Sequence, residues 1–153
     1  AHFLRFVEER TAADEALADW RAETVTRLTE AGMQPAWTAD EPPSDLILPA
    51  RMHVQVTRIL REAVSNAIRH SGGAHCAVRI RFRGDALELE IEDDGRGLAQ
   101  GQGVQRGHGL PNIERRVRHL GGEHRFTAPS GSRSGTLLVV RIPLSSHVAQ
   151  EIS

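Results

Sequence analysis

The sequence predicts an α+β fold, a two-layer α/β sandwich in which helices cover one face of a mixed, mostly antiparallel sheet. Three observations carry that prediction. Apolar residues recur at helical spacing in separate stretches, two pairs of alternating strand-like runs form hairpins, and the order is helix, strand, helix, hairpin, loop, helix, hairpin. At 153 residues the chain suits one domain with a helical extension and can bury a real core.

Residues 1 to about 31 are rich in Ala, Glu and Arg, and Leu17, Trp20, Val25 and Leu28 recur at roughly helical spacing before a Gly32 stop. The first dozen residues, with Phe3, Leu4, Phe6 and Val7, read either as a helix that packs on something upstream or as a frayed terminus. QPAWTAD is a short strand, and the prolines of EPPSD end it. After the extended LILPARM comes a helix over about 50–71, with Val56, Ile59, Leu60, Ala63, Val64 and Ala67 as its core stripe. On the adjoining stripe lie Glu62, Asn66, Arg69 and His70. AHCAVRIRFRG and ALELEIEDD alternate around Gly84-Asp85, a hairpin with Cys76, Val78, Ile80, Phe82, Leu87, Leu89 and Ile91 inward. GRGLAQGQGVQRGHG is a mobile, glycine-rich loop, not expected to be ordered without a ligand; LPNIERRVRHLGG is a helix carrying Leu110, Ile113, Val117 and Leu120 at core spacing. EHRFTAP and TLLVVRIPL make the last hairpin, and SSHVAQEIS is a tail.

A formal net charge of −1 gives no general pull towards nucleic acid or anionic membrane, and the arginines are spread along the chain, so no nucleic-acid partner is expected. All the positive side chains are Arg, which reads as genome composition more than mechanism. The single cysteine, Cys76, excludes an internal disulfide, fits a reducing compartment and reads as a buried strand thiol. No apolar run approaches the ~20 residues that span a bilayer. No signal peptide is visible, and AHFLRF reads as an internal start.

Three motifs point to a nucleotide site, although each has a bland alternative. The Asn66 carboxamide is a hard neutral ligand suited to one corner of an Mg²⁺ octahedron; alone it is more often a solvated helix Asn. Glu62, one turn earlier, could take a proton from a nucleophile; in isolation it is a surface glutamate pairing with Arg58 or Arg69. Arg69 and His70, one turn later, could reach phosphate oxygens. Asp93 precedes Gly95 and Gly97, where a carboxylate can accept from an exocyclic amine, but Asp-Gly turns are common. Gly107 and Gly109 leave N–H groups free for an anion at a helix start, or simply make a flexible approach to it. A Rossmann arrangement is disfavoured, since the glycines do not feed a helix at once and the acid comes before them.

Taken in order, ExxxN-xx-RH, DDGRG, GHGLxNIxxRV and GTLLVVRIPL resemble the catalytic ATP-binding domain of bacterial sensor histidine kinases. That is the Bergerat fold of the GHKL superfamily, shared with gyrase B, MutL and the heat-shock chaperone ATPases, and the resemblance covers roughly residues 32–144. The short lid between Gly97 and Gly107, without a phenylalanine box, is similar to the nitrate-sensor and DesK-like subfamily. Arg69 stands where many relatives have Lys, and the lid is unusually rich in Gly and Gln. The resemblance implies Glu62 as the catalytic acid/base, Asn66 as the Mg²⁺ ligand, Asp93 on the adenine amine and Thr136 near an adenine-side water. Its ATP-binding set is Asn66, Arg69, His70, Asp93, Gly95, Gly97, Leu98, Gly107, His108, Gly109, Leu110 and Thr136.

It further implies that the γ-phosphate of ATP passes to a histidine on a dimerisation domain, followed by an acidic residue in that subfamily. None of the eight histidines here precedes Asp or Glu, so the acceptor is expected upstream. Residues 1–31 are then a helical linker or the end of that dimerisation domain, 32–145 the ATP-binding domain and 146–153 a tail. The implied partners are that domain, in a homodimer, and a response regulator; the implied location is the cytoplasmic side of a membrane-bound bacterial sensor. A conformational ATPase, an anti-sigma-like serine kinase and a non-catalytic nucleotide sensor remain as alternatives.

Overall fold

The computed structural model describes residues 11–70, 72–96, 110–129 and 134–144. Strand β1 (Thr11–Ala12) leads into helix α1 (Ala13–Glu30), followed by β2 (Gln34–Ala39), β3 (Ile47–Leu48) and helix α2 (Ala50–His70). The hairpin β4 (His75–Arg83) and β5 (Ala86–Asp93) comes next, then helix α3 (Leu110–His119), β6 (Glu123–Thr127) and β7 (Thr136–Pro143).

The main sheet runs β2-β4-β5-β7-β6, with β2 parallel to β4 and every other pair antiparallel. Alternation decides its two faces. Inward rows such as Ile80, Leu89 and Val140, or Val78, Ile91 and Leu138, meet across the strands and are buried under the helices. The other face carries Arg79, Arg81, Glu88, Glu90 and Glu92.

Helix α2 lies at the centre of the helical layer, and its stripe of Val56, Ile59, Leu60, Ala63, Val64 and Ala67 is buried as predicted, joined by Met52. Helix α1 packs beside it. The Trp20 indole N–H donates to Thr57 Oγ1 at 2.8 Å, and the Trp20 ring stacks on His53. Arg27 donates to Ser65 Oγ at 2.8 Å, and Arg61 pairs with Glu23 at 2.7 Å. Ala13, Ala16, Leu17, Trp20 and Leu28 share one core with α2 and the sheet.

Three details differ from the sequence reading. The first described helix begins only at Ala13, because Thr11 and Ala12 pair antiparallel with Leu48 and Ile47. That small sheet was not foreseen, since two-residue strands carry no periodic signal. Within α1 it is Thr24 that is buried and Val25 that lies on the flank, because 17, 20, 24 and 28 follow the 3.6-residue turn and 25 is rotated off it.

Candidate functional site

Of the proposed site residues that the structure describes, Glu62, Asn66, Arg69 and His70 lie on α2, and Arg96 links the end of that helix to the turn after Asp93. Glu62, Asn66 and His70 follow one another turn by turn along α2 and are each half-buried, whereas Arg69 is exposed. Asp93 ends β5 and Thr136 opens β7 directly opposite it. Gly95 is buried just beyond Asp93, and Leu110, the first residue of α3, packs on the core. Gly97, Leu98, Gly107, His108 and Gly109 lie outside the described residues, as does the lid over 98–106.

Asp93 is held from two sides. Its Oδ1 accepts the Gly95 N–H at 2.9 Å, and the Thr136 backbone N–H also serves the carboxylate. Burial nevertheless pushes the Asp93 carboxyl above its ordinary range of about 3.8; those two N–H groups counter the rise, while Asp94 and Glu92 add to it. The carboxylate is thus desolvated and kept in shape by two amides. The backbone presses closely here: Gly135 has φ +123°, and a Cβ at that position would fall 1.9 Å from the Asp93 carbonyl oxygen.

The residues that tie this turn to α2 went unrecognised in the sequence. The Asp94 carboxylate accepts the Ala74 N–H at 2.8 Å and the His75 N–H at 2.9 Å, and lies 2.6 Å from His75 Nδ1. These bonds, the His75 amide foremost, hold the Asp94 carboxyl below its ordinary range. Arg96 donates to the His70 carbonyl at 3.0 Å, capping the end of α2. Gly73 fits between them, since a Cβ there would lie 2.3 Å from Asp94 Oδ1 and 2.7 Å from the Gly95 nitrogen. The Asp doublet was the available signal, but a second acid in a turn reads as solvent-facing until its amide partners are known.

Nearby Cys76 is buried, and burial pushes its thiol up to about 12, with Asp93, Asp94 and Glu92 adding to the rise. It is inert packing, as the strand reading expected.

Helices on one face of a mixed sheet, with polar motifs converging where α2 ends and β5 turns, define a known class. The chain belongs to the histidine kinase-, DNA gyrase B- and HSP90-like ATPase family, whose sequence model matches residues 53–146. Within that class it is similar to the sensor protein VraS of Staphylococcus aureus (strain COL), at 32% identity over 103 residues, 67% of this chain and 29% of VraS. It is also similar to the sensor histidine kinase LnrJ of Bacillus subtilis (strain 168), at 33% identity over 109 residues, 68% of this chain and 26% of LnrJ. The chain thus spans under a third of the length of these relatives. Its fold matches the histidine kinase domain of a blue-light activated histidine kinase from Erythrobacter litoralis, with TM-score 0.68 and 22% identity over 88% of this chain and 63% of that one.

Proposed function

We propose that this chain is the ATP-binding catalytic domain of a two-component sensor histidine kinase. In this reading it transfers the γ-phosphate of ATP to a histidine on a dimerisation domain outside these residues, for relay to a response regulator. The observation that carries the reading is the joining of two motifs: α2 presents Glu62, Asn66 and His70 turn by turn, Arg96 fastens its end to the Asp93 turn, and Asp94 holds the segment that leads from it into β4.

Asp93 accepts the adenine amine, and Thr136 beside it serves a water on the same edge. Arg69 and His70 donate towards the phosphates. Glu62 orients or deprotonates the incoming imidazole. Gly95, Gly97, Leu98, Gly107, His108, Gly109 and Leu110 complete the nucleotide set. Catalysis is then mainly positioning and charge stabilisation.

Asn66 suits a Mg²⁺ ion. Its carboxamide makes no hydrogen bond among the described residues, and among them no three His, Cys, Asp or Glu gather into an all-protein metal site. A single hard oxygen from the protein fits a cation completed by phosphates and waters. Such an ion, when bound, neutralises phosphate charge.

In this reading residues 1–31 lead from the dimerisation domain, with α1 docked on the core of the catalytic domain of 32–145, and 146–153 are a tail. Among the described residues no helix is long and apolar enough to cross a membrane. We place the domain on the cytoplasmic side of a bacterial sensor.

Calorimetry with Mg–ATP tests the site. Asn66→Ala and Asn66→Asp should abolish binding while circular dichroism keeps its native form; unchanged affinity would sink the assignment. Labelled ATP given to the full-length protein should leave acid-labile label. Acid-stable label would indicate a serine kinase, and phosphate release without label a conformational ATPase.

A further inference from the structure

Around α2, at 100° per residue, the polar side chains follow a fixed order: His70, Asn66, Glu62, then Arg69, Arg58, Ser65 and Arg61. Glu62 therefore divides the stripe. On one side lie Asn66 and His70, two of the residues assigned to nucleotide; on the other lies a run of arginines that begins with Arg69, itself assigned to the phosphates. Arg116 of α3 faces that run, and together Arg58, Arg61, Glu62, Ser65, Arg69 and Arg116 line an open cleft of about 350 Å³.

Two of these side chains are already engaged, Arg61 with Glu23 and Ser65 with Arg27. The other four leave the cleft electrostatically unbalanced. Arg58, Arg69 and Glu62 make no side-chain hydrogen bond or ion pair among the described residues. Arg116 donates to Gln55 Oε1 at 3.2 Å, but its Nε is buried without a partner. Three guanidinium groups against one carboxylate leave a surplus of two positive charges, in a chain whose formal net charge is −1. Burial, with Arg58 and Arg115 close by, holds Arg116 below the usual arginine range, and Glu62 only partly offsets this.

A planar fork with free donors matches carboxylates in two-point contact, and the wide cleft suits a protein surface more than a small anion. Asn66 and His70 lie on the far side of Glu62, and Arg69, assigned to the phosphates, stands at the cleft edge next to Glu62, whereas Arg58 and Arg116 lie farther from the nucleotide residues. We propose that this cleft is the docking surface for an acidic segment of the domain that carries the phosphoacceptor histidine. Arg58 and Arg116 grip its carboxylates, so that the acceptor arrives beside Glu62 opposite the nucleotide. The inference rests on the kinase reading above.

The test uses the full-length sensor, with Mg–ATP affinity and autophosphorylation measured on the same preparations. Arg58→Gln and Arg116→Gln should each lower autophosphorylation at least tenfold, with ATP affinity within twofold of the parent. Arg58→Lys, which keeps charge but loses the fork, should fall between. If Arg116→Gln fails to fold, the exposed Arg58→Gln carries the test alone. Parallel loss of ATP affinity would assign the arginines to the nucleotide and overturn the proposal, as would unchanged autophosphorylation. An unmutated protein that binds no ATP would instead overturn the kinase reading.

Discussion

Gly135→Ala is the most direct probe of how the sheet shapes the site. Gly135 immediately precedes Thr136, whose N–H serves the Asp93 carboxylate, and it sits at φ +123°. An alanine there meets two penalties. The backbone conformation costs an L-residue about 1–3 kcal/mol. The added Cβ also lies 1.9 Å from the Asp93 carbonyl oxygen, with the Asp93 carbonyl carbon at 2.9 Å and Asp94 Cα at 3.0 Å. Since these neighbours are backbone, β7 must move away and the terminal Asp93–Thr136 pair opens, a further ~1 kcal/mol for a lost hydrogen bond. The sum is about 2–4 kcal/mol, or roughly 5–15 °C in melting temperature for a chain of this size. Gly84→Ala is the control, with φ +60° and nothing within 4 Å of the added atom; it should lose clearly less. Calorimetric melts of both variants, with and without Mg–ATP, read the difference. Gly135→Ala should also lose the shift that the ligand confers. A Gly135→Ala domain that melts within 2 °C of the parent and binds ATP normally would refute the reasoning.

Three other outcomes follow from the same geometry. Asp93→Asn should abolish ATP binding yet leave the unliganded domain at least as stable. Because the folded state raises the Asp93 pKa, the stability it contributes is complete below about 3.8 and is lost as pH rises through the folded value; the variant's advantage should therefore grow from pH 4 to pH 7. A variant less stable than the parent at pH 7 would count against a desolvated carboxylate. Asp94→Ala removes three contacts, but their exposure discounts them to about 1–2 kcal/mol, so melting should fall a few degrees while the ATP dissociation constant rises severalfold. An unchanged dissociation constant would show that the brace does not position the Asp93 turn. Cys76 should resist a thiol reagent at pH 8 until urea is added, and fast labelling of the native domain would contradict its burial.

Much of the fold could be read before any coordinates, wherever burial imposes a period. The α2 stripe and the β4–β5 alternation are examples, since each must bury one face along its whole length. The site was half legible. Glu62, Asn66 and Asp93, each ordinary when taken alone, stood out as candidates only through the joint order of their motifs along the chain. The brace was not, because it joins residues about twenty positions apart, such as Asp94 with Ala74 and Arg96 with His70, through backbone groups that every residue possesses. Such bonds leave no mark in residue type. Close approach does: Gly73 and Gly135 are glycine because backbone or carboxylate lies where a Cβ would stand. Yet glycine is common beside turns of every kind, so its presence there does not by itself reveal a close approach.

The face of the sheet opposite the helices also bears on the site. Arg79 bridges Glu90 at 2.7 Å and Glu92 at 2.6 Å, Arg81 reaches Glu90 at 3.0 Å, and Glu88 lies 3.6 Å from Arg83 and 3.7 Å from Arg141. Half-exposed pairs of this kind contribute about 0–1 kcal/mol each, too little to hold the sheet by themselves. Their larger effect is on register. A slip of one residue in β5 would carry Glu88, Glu90 and Glu92 into the core and Leu87, Leu89 and Ile91 into water, so only one alignment satisfies both faces. That alignment sets Asp93 opposite Cys76 on one side and Thr136 on the other, at the point where the strand meets the end of α2. The position of the carboxylate proposed to receive the adenine amine is therefore decided partly by charges on the opposite side of the sheet.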